Sequence, residues 1–566
     1  MKKFHLTDTY TLINFDTAPC DSEVAILGSR PFEIVLSRFI QNMRRASDPL
    51  MEPFAGIRKK SFLDAYKLLM VYPYEEVMRR EHGLVALLEH REAFYRFTEA
   101  LYDDWRKLER FGIMPGYRQS ASSQRLVDVT DAFNTRVLNL YRSITQNIKG
   151  HPFLVLRQLP SGVNATISTV RHRFSYHKDY VGLQNVNAVT HVLSRPPFIV
   201  YSKANTRKGL FREIDHNPLP TLSLNRLHYI NFPVMVGPLL AFIFIHRDFL
   251  HHGVALANLF EHVPYESLSE RKPDLVYVYG IREDAYDGTY FIDTENDINV
   301  GFVSRSLKND YFGYLKKMML TLHNVHMIRH GNLPIHGAMV SVTLKDKQTR
   351  NIVIIGDSGA GKSETLEALR RISGPIVRSM RVIFDDMGTF ILKDGKIVAK
   401  GTEIGAFVRL DDLDQGYAYR EIDRAIFMNP DKTNARVVLP VTEYGFMVKD
   451  HNVDMVLYAN NYDVSHDPLS FFQTPEDALE VFSRGRRFAK GTTAEEGLVE
   501  SYFANPFGPV QHRTETQPIL ASFFRTLSKS GVPLGELKTG LAVPERRMSG
   551  PDEAAKRLLE VLQSDS

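Results

Sequence analysis

Apolar residues recur at steps of three and four in two stretches of the first 150 positions. Phe94, Phe97, Leu101, Trp105 and Leu108 fall on one face of a predicted helix. Phe133, Val137, Leu140, Tyr141, Ile144 and Ile148 mark a second. Both stripes read as core packing or a docking face. Between them "MPGYRQSASSQ", Met114 to Gln124, is rich in small and polar residues and reads as a linker. Residues 1–150 are therefore expected to form a mainly helical accessory segment.

Beyond residue 150 the period shortens. "FLVLRQL", "PPFIVYS" and "DLVYVYG" read as strands separated by turns and helical stretches, so 151–330 is expected to be an α/β domain. From His336 onward the strands crowd together: "GAMVSVTL", "NIVIIG", "RVIFDD", "TFILKDGKIVAKG" and "ARVVLPV". Within them "LKDGKI" carries an Asp-Gly hairpin signal. That density predicts a mixed sheet over 331–566 rather than a simple doubly wound one. The longest apolar run, Phe232 to Ile245, contains a Pro and a Gly; at fourteen residues it is too short to span a bilayer and reads as buried core. The tail "DEAAKRLLEVLQ" predicts a closing amphipathic helix, and no internal repeat is found.

Composition adds boundaries rather than a direction. The 566-residue chain is long enough for two or three domains. Its 43% apolar and 24% charged residues are those of an ordinary globular protein. A net charge of +4 gives no reason to expect nucleic acid or an anionic membrane as a general partner. The single cysteine, Cys20, excludes an internal disulfide and a cysteine-based zinc cluster. "MKKFHLTDTYTLINF" lacks a continuous apolar stretch after its lysines, so no signal peptide is read and a cytoplasmic location is expected.

The chemistry starts at "NIVIIGDSGAGKSETLEALR", Asn351 to Arg370. Gly356, Asp357, Ser358, Gly359, Ala360, Gly361, Lys362 and Ser363 fit the G-x-x-x-x-G-K-[ST] phosphate loop, with Glu364 following, between a predicted strand and helix. The glycines let backbone N–H groups turn toward phosphate oxygens, and the helix N-terminus adds its positive end. Lys362 is expected on the β- and γ-phosphates of ATP and Ser363 on Mg²⁺. Downstream, "RVIFDDMG" places Asp385 and Asp386 at a strand end, where an acid can reach the same metal.

Three further stretches resemble the phosphoenolpyruvate carboxykinases. "YFGYLKKMMLTLHNVHMIRHGNLPIHGAMV" matches their tyrosine, Lys-Lys pair and later histidine, here Tyr311, Lys316, Lys317 and His336. The resemblance implies that Lys317, His336 and Asp386 bind a transition metal, usually Mn²⁺. A coordinating lysine must be neutral, which burial beside a dication permits. "KTNARVVLP" is similar to the stretch whose arginine reaches the γ-phosphate, implying Arg436. "RRFAKGTTAEEGLVESYFANPFG" is similar to the adenine-side loop of the ATP-dependent members. The likeness covers roughly Gly150 to the C-terminus and implies a carboxykinase-like mixed-sheet phosphate-loop domain behind an α/β substrate-side domain. Lys316, Lys362, Arg436, Asp385 and Tyr311 then form the expected catalytic set.

The chain also departs from that family. G-D-S-G-A-G-K-S-E and the preceding His336-Gly337 are closer to the HPr kinase/phosphorylase family. The carboxykinase substrate turn has only a weak counterpart in "VRHRFSYHKDY", with Arg171 or Arg173. Three functions stay open. One is decarboxylation and phosphorylation of an oxaloacetate-like acid. A second is a kinase for a protein or small-molecule hydroxyl with Asp385 as base. The third is a nucleotide-gated binding protein that docks a protein partner on its N-terminal helices.

Overall fold

The computed structural model describes residues 4–564 except 18–19, 117–122, 152–160, 172–177, 208, 270, 347, 373, 375, 414–420, 464, 490–496 and 548. The protein is mixed α/β, with several mixed sheets. Sequence texture suggests three segments; by compactness the chain forms two units, Met1–His172 with Asn187–Phe198, and Arg173–Val186 with Ile199–Ser566. Among the described residues no helix is long and apolar enough to cross a membrane.

In the first unit both apolar stripes are helices, Arg91–Lys107 and Ser123–Lys149. Phe94 and Phe97 from the first pack with Phe39, Phe54, Phe62 and Tyr66 in an aromatic core. Helix Arg30–Arg45 begins at a Ser29 cap whose hydroxyl accepts from the Phe32 N–H at 3.2 Å. Besides its helices this segment carries strands: Phe4–Leu6, Tyr10–Asn14 and Glu109–Gly116 join Ala165–Arg171 and Asn187–Ser194 in consecutive order. "ERFGIMPG" hides its strand behind a glycine and a proline. Gly112 is there because the Phe15 ring and the Thr166 hydroxyl occupy the place of a β-carbon. The first three residues of the expected linker, Met114–Gly116, are thus strand, its last two open the helix Ser123–Lys149, and 117–122 lie outside the described residues. So does all of "FLVLRQL", 153–159.

The second unit holds two sheets that concern the site. The run Phe232–Ile245 lies in the buried antiparallel hairpin Tyr229–Val236 and Leu239–His246. Next to it come Leu275–Ile281 and Ile298–Ser304, both parallel to their inner neighbour. The other sheet surrounds the phosphate-loop strand Thr349–Ile355, which pairs antiparallel with Leu333–Leu344 and parallel with Met455–Asn460. Leu333–Leu344 is forked: His336 and its predecessors pair with Met387–Lys393, while Met339–Leu344 pair with Val377–Phe384. The chain passes between those two partners through Asp385 and Asp386. The Asp-Gly turn closes as expected, with Asp394 and Gly395 at φ 50° and 75° joining Met387–Lys393 to Lys396–Gly401. Helix Phe312–Arg329 packs against Leu275–Ile281, Ile298–Ser304 and Leu333–Leu344, and it is buried on nearly every face.

Candidate active site

The sheet fork brings three sequence-distant pieces to one point. The Gly337 N–H donates to the Asp386 carbonyl at 2.9 Å, and the Gly356 N–H to the His336 carbonyl at 3.0 Å. A β-carbon at Gly337 would lie 2.7 Å from the Ile354 carbonyl oxygen, so only glycine lets the strands close here. In the loop, Gly359 and Gly361 adopt φ 80° and 95°. Thr539 fills the space beside Gly361 and donates its hydroxyl to the Ala360 carbonyl at 2.8 Å.

A cleft of about 660 Å³ opens over this point. Tyr311, Lys317, Ser358, Gly359, Lys362, Ser363, Glu364, Asp385, Asp386 and Arg436 line it. Gly356, Asp357, Ala360, Gly361, Lys316 and His336 are not on its surface and build the wall behind. The Lys362 ammonium donates to the carbonyls of Gly356 at 2.7 Å and Asp357 at 3.2 Å. Ser363 donates to Asp385 Oδ1 at 3.1 Å, which joins the expected Mg²⁺ ligand directly to one of the two strand-end acids. Asp357 braces the loop: it accepts from the Ser358 N–H at 2.7 Å and pairs with Arg487 at 2.8 Å. Arg436 has its guanidinium 5.3 Å from the Phe407 ring centroid, and its Nε is buried without a hydrogen-bond partner.

The charges converge on Asp386. Its Oδ2 lies 2.7 Å from Lys316 Nζ and 3.6 Å from Lys317 Nζ, and its Oδ1 3.0 Å from His336 Nε2. Burial opposes its ionisation, but Lys316 and Lys317 hold it well below the usual carboxylate range. The two lysines separate sharply. Lys316 is 1% exposed and also lies 2.9 Å from Glu403; burial works against its charge, yet the two carboxylates raise its pKa. Lys317 faces the cleft, 4.2 Å from the Phe507 ring centroid, and burial pushes its pKa down to about 8. Asp385 is pushed up to about 6 by burial and by Asp386. Lys316 therefore positions Asp386, and Lys317 is the one that gives up its proton more readily.

His336 shows a shortage of protons. Its Nδ1 lies 2.8 Å from the Ala504 carbonyl while its Nε2 faces Asp386. Burial and the Lys362 charge lower its pKa, favouring the neutral ring, which has one N–H for two acceptors. With Nδ1–H donated to Ala504, the Nε2 lone pair points at a carboxylate. A dication between them removes that repulsion, so Lys317, His336 and Asp386 fit a metal by their own chemistry.

Three residues had no motif to announce them. Arg207, in "ANTRKG", lines the cleft with its guanidinium 5.7 Å from the Phe507 centroid, and no carboxylate pairs with it among the described residues. Arg487 was legible only as part of a loop. Glu403, 2% exposed, does stand out in retrospect as one acid in the apolar run "IVAKGTEIGAF". Arg171 ends a strand of the first unit, and Arg173 lies outside the described residues. No family model matches this chain, and no curated protein matches it.

Proposed function

We propose that the chain is an ATP-dependent phosphoryl-transfer enzyme of carboxykinase type, converting an oxaloacetate-like acid and ATP into phosphoenolpyruvate, CO₂ and ADP. The observation that carries this reading is His336, a buried imidazole with two acceptors and one proton, beside a lysine whose pKa burial lowers to about 8. A phosphate loop alone has no use for such a pair. Loop amides and Lys362 would bind the triphosphate, with Ser363 and Asp385 holding Mg²⁺. Lys317, His336 and Asp386 would hold Mn²⁺. Bound there, the dications supply Lewis-acid stabilisation to a developing enolate and screen the triphosphate. Arg436 would neutralise the charge spread over the transferring phosphoryl oxygens. Arg207 would take the carboxylate of the acid, a role the sequence offered to Arg171 or Arg173.

The test is purified protein with ATP, Mg²⁺, Mn²⁺ and oxaloacetate, following phosphoenolpyruvate by NMR, with Lys317→Ala as control. Product that vanishes in the variant supports both the reaction and its metal. Nucleotide binding without product sinks the lyase reading. The second reading, a hydroxyl kinase, draws on Asp385: an acid pushed up to about 6 that lines the cleft suits a general base.

A further inference from the structure

We propose that Asp297, His326 and His330 form a second metal site, at the other end of the helix that carries Lys316 and Lys317, suited to a borderline dication such as Zn²⁺. His326 and His330 are four residues apart at the helix C-terminus, which places them one turn apart on one face. Their ring centroids lie 4.2 Å apart with the planes inclined by 24°. Asp297 approaches from the turn before strand Ile298–Ser304, held in the left-handed region at φ 51°. One donor atom from each of the three lies within 4.8 Å of the others.

The groups that would orient these ligands are already bonded to them. His330 Nδ1 lies 2.8 Å from the His326 carbonyl, so its N–H is donated there and the Nε2 lone pair is left for a ligand. That Nε2 faces Asp297 Oδ2 at 3.2 Å. The other oxygen, Oδ1, is occupied by Arg329 at 3.4 Å, so the carboxylate divides its two atoms between a cation and the site. His326 is 4% exposed, and its Nδ1 is buried without a hydrogen-bond partner. A buried ring nitrogen left that way is unfavourable, and turning it to a metal relieves it. Two imidazoles and one carboxylate are a zinc donor set with a fourth position left for water. The negative end of the helix dipole adds to the pull. His330 is exposed, which gives an ion a way in.

The other His/Asp cluster, His251, His252 and Asp310, has no such opening. Both histidines spend Nε2 on Asp310 Oδ1, and all three residues are buried.

The experiment titrates Zn²⁺ alone into metal-stripped full-length protein by calorimetry, with Co²⁺ absorption as a second readout of the donor set. It is repeated on His336→Ala, which removes a cleft ligand, and on His330→Asn, an exposed change whose folding is checked by circular dichroism. The expected result is a binding event that persists in His336→Ala and weakens at least about tenfold in His330→Asn. Binding that is lost in His336→Ala, or unchanged in His330→Asn, overturns the site. A failed carboxykinase assay leaves this result untouched, because it needs no nucleotide or acid.

Discussion

Two buried clusters in the second unit are each centred on an aspartate and differ in how its partners are arranged. In one, Asp310 accepts from His251 at 2.8 Å, from His252 at 2.9 Å and from the Lys203 N–H at 2.9 Å. Every contact has a proton, and none of the three side chains lines the cleft. In the other, Asp386 is surrounded by Lys316, Lys317 and His336, the histidine is one proton short, and the acid faces open space. Burial of charge alone does not distinguish structure from chemistry. The proton count and the opening do.

The largest break in the comparison comes from neutralising each central acid. Asp386→Asn is expected to lower phosphoryl transfer by about 10²–10³-fold, as loss of a group that organises charge at a reacting centre does. Folding should be largely retained, since Lys316 keeps Glu403. Asp310→Asn should do the reverse: roughly 3 kcal/mol lost in urea unfolding, with turnover per folded molecule within a few-fold. Parallel ADP-release assays and denaturation curves decide it. A stability loss in Asp386→Asn as large as in Asp310→Asn would erase the distinction.

Lys317→Arg sharpens it next. Arginine keeps the charge but cannot become neutral to coordinate. The variant is expected to lose Mn²⁺-dependent activity about as fully as Lys317→Ala, measured as rate against Mn²⁺ at fixed Mg²⁺. Retained activity would mean that Lys317 acts by charge alone.

Much of this was legible beforehand, for reasons that differ by residue. The expected phosphate loop is one unbroken motif and Asp385 and Asp386 are adjacent, so each is a local signal in the sequence. Asp394 and Gly395 dictate their hairpin for the same reason. The stripe through Phe94 and Phe97 gives its helix because 3.6-residue periodicity is a local signal. Strand Glu109–Gly116 was not legible, because Gly112 answers a close approach by Phe15 and Thr166 that only the folded chain reveals. Arg207 and Glu403 escaped for a related reason. Each gains meaning from partners distant in sequence, Phe507 for one and Lys316 for the other. His326 and His330 carried a legible four-residue spacing, but Asp297 was needed to give it a direction.

Asp310 and Asp385, the neighbour of the second cluster's Asp386, differ in the sign of their pH response, read from unfolding in metal-free buffer. Burial opposes the charge of Asp310, yet its two histidines hold it below its unfolded pKa. Its contribution is present above about pH 4 and fades as pH falls further. Asp385 is raised to about 6, so the native state binds the extra proton. Its contribution falls as pH rises from about 4 through 6 and then stays constant. Asp385→Asn should therefore gain on the parent by roughly 1 kcal/mol above pH 6 and show no gain near pH 4. A gain of equal size at both pH values would mean that Asp385 is not the titrating group.

The smallest effect belongs to Glu403, and its smallness is informative. Burial, with Asp386 nearby, pushes this acid up to about 7, so near neutral pH it is charged only part of the time. Glu403→Gln removes little charge and keeps a hydrogen-bond acceptor 2.9 Å from where Lys316 already sits. Unfolding free energy should change by less than about 1 kcal/mol. Activity should still fall a few-fold, because Lys316 then leans on Asp386 alone and draws it from the orientation that Lys317 and His336 share. The pH profile separates this from a packing defect: the deficit should widen above pH 7, where the parent's Glu403 is ionised, and close below it. A deficit independent of pH would make Glu403 a space-filling residue and leave Asp386 anchored by Lys316 without help.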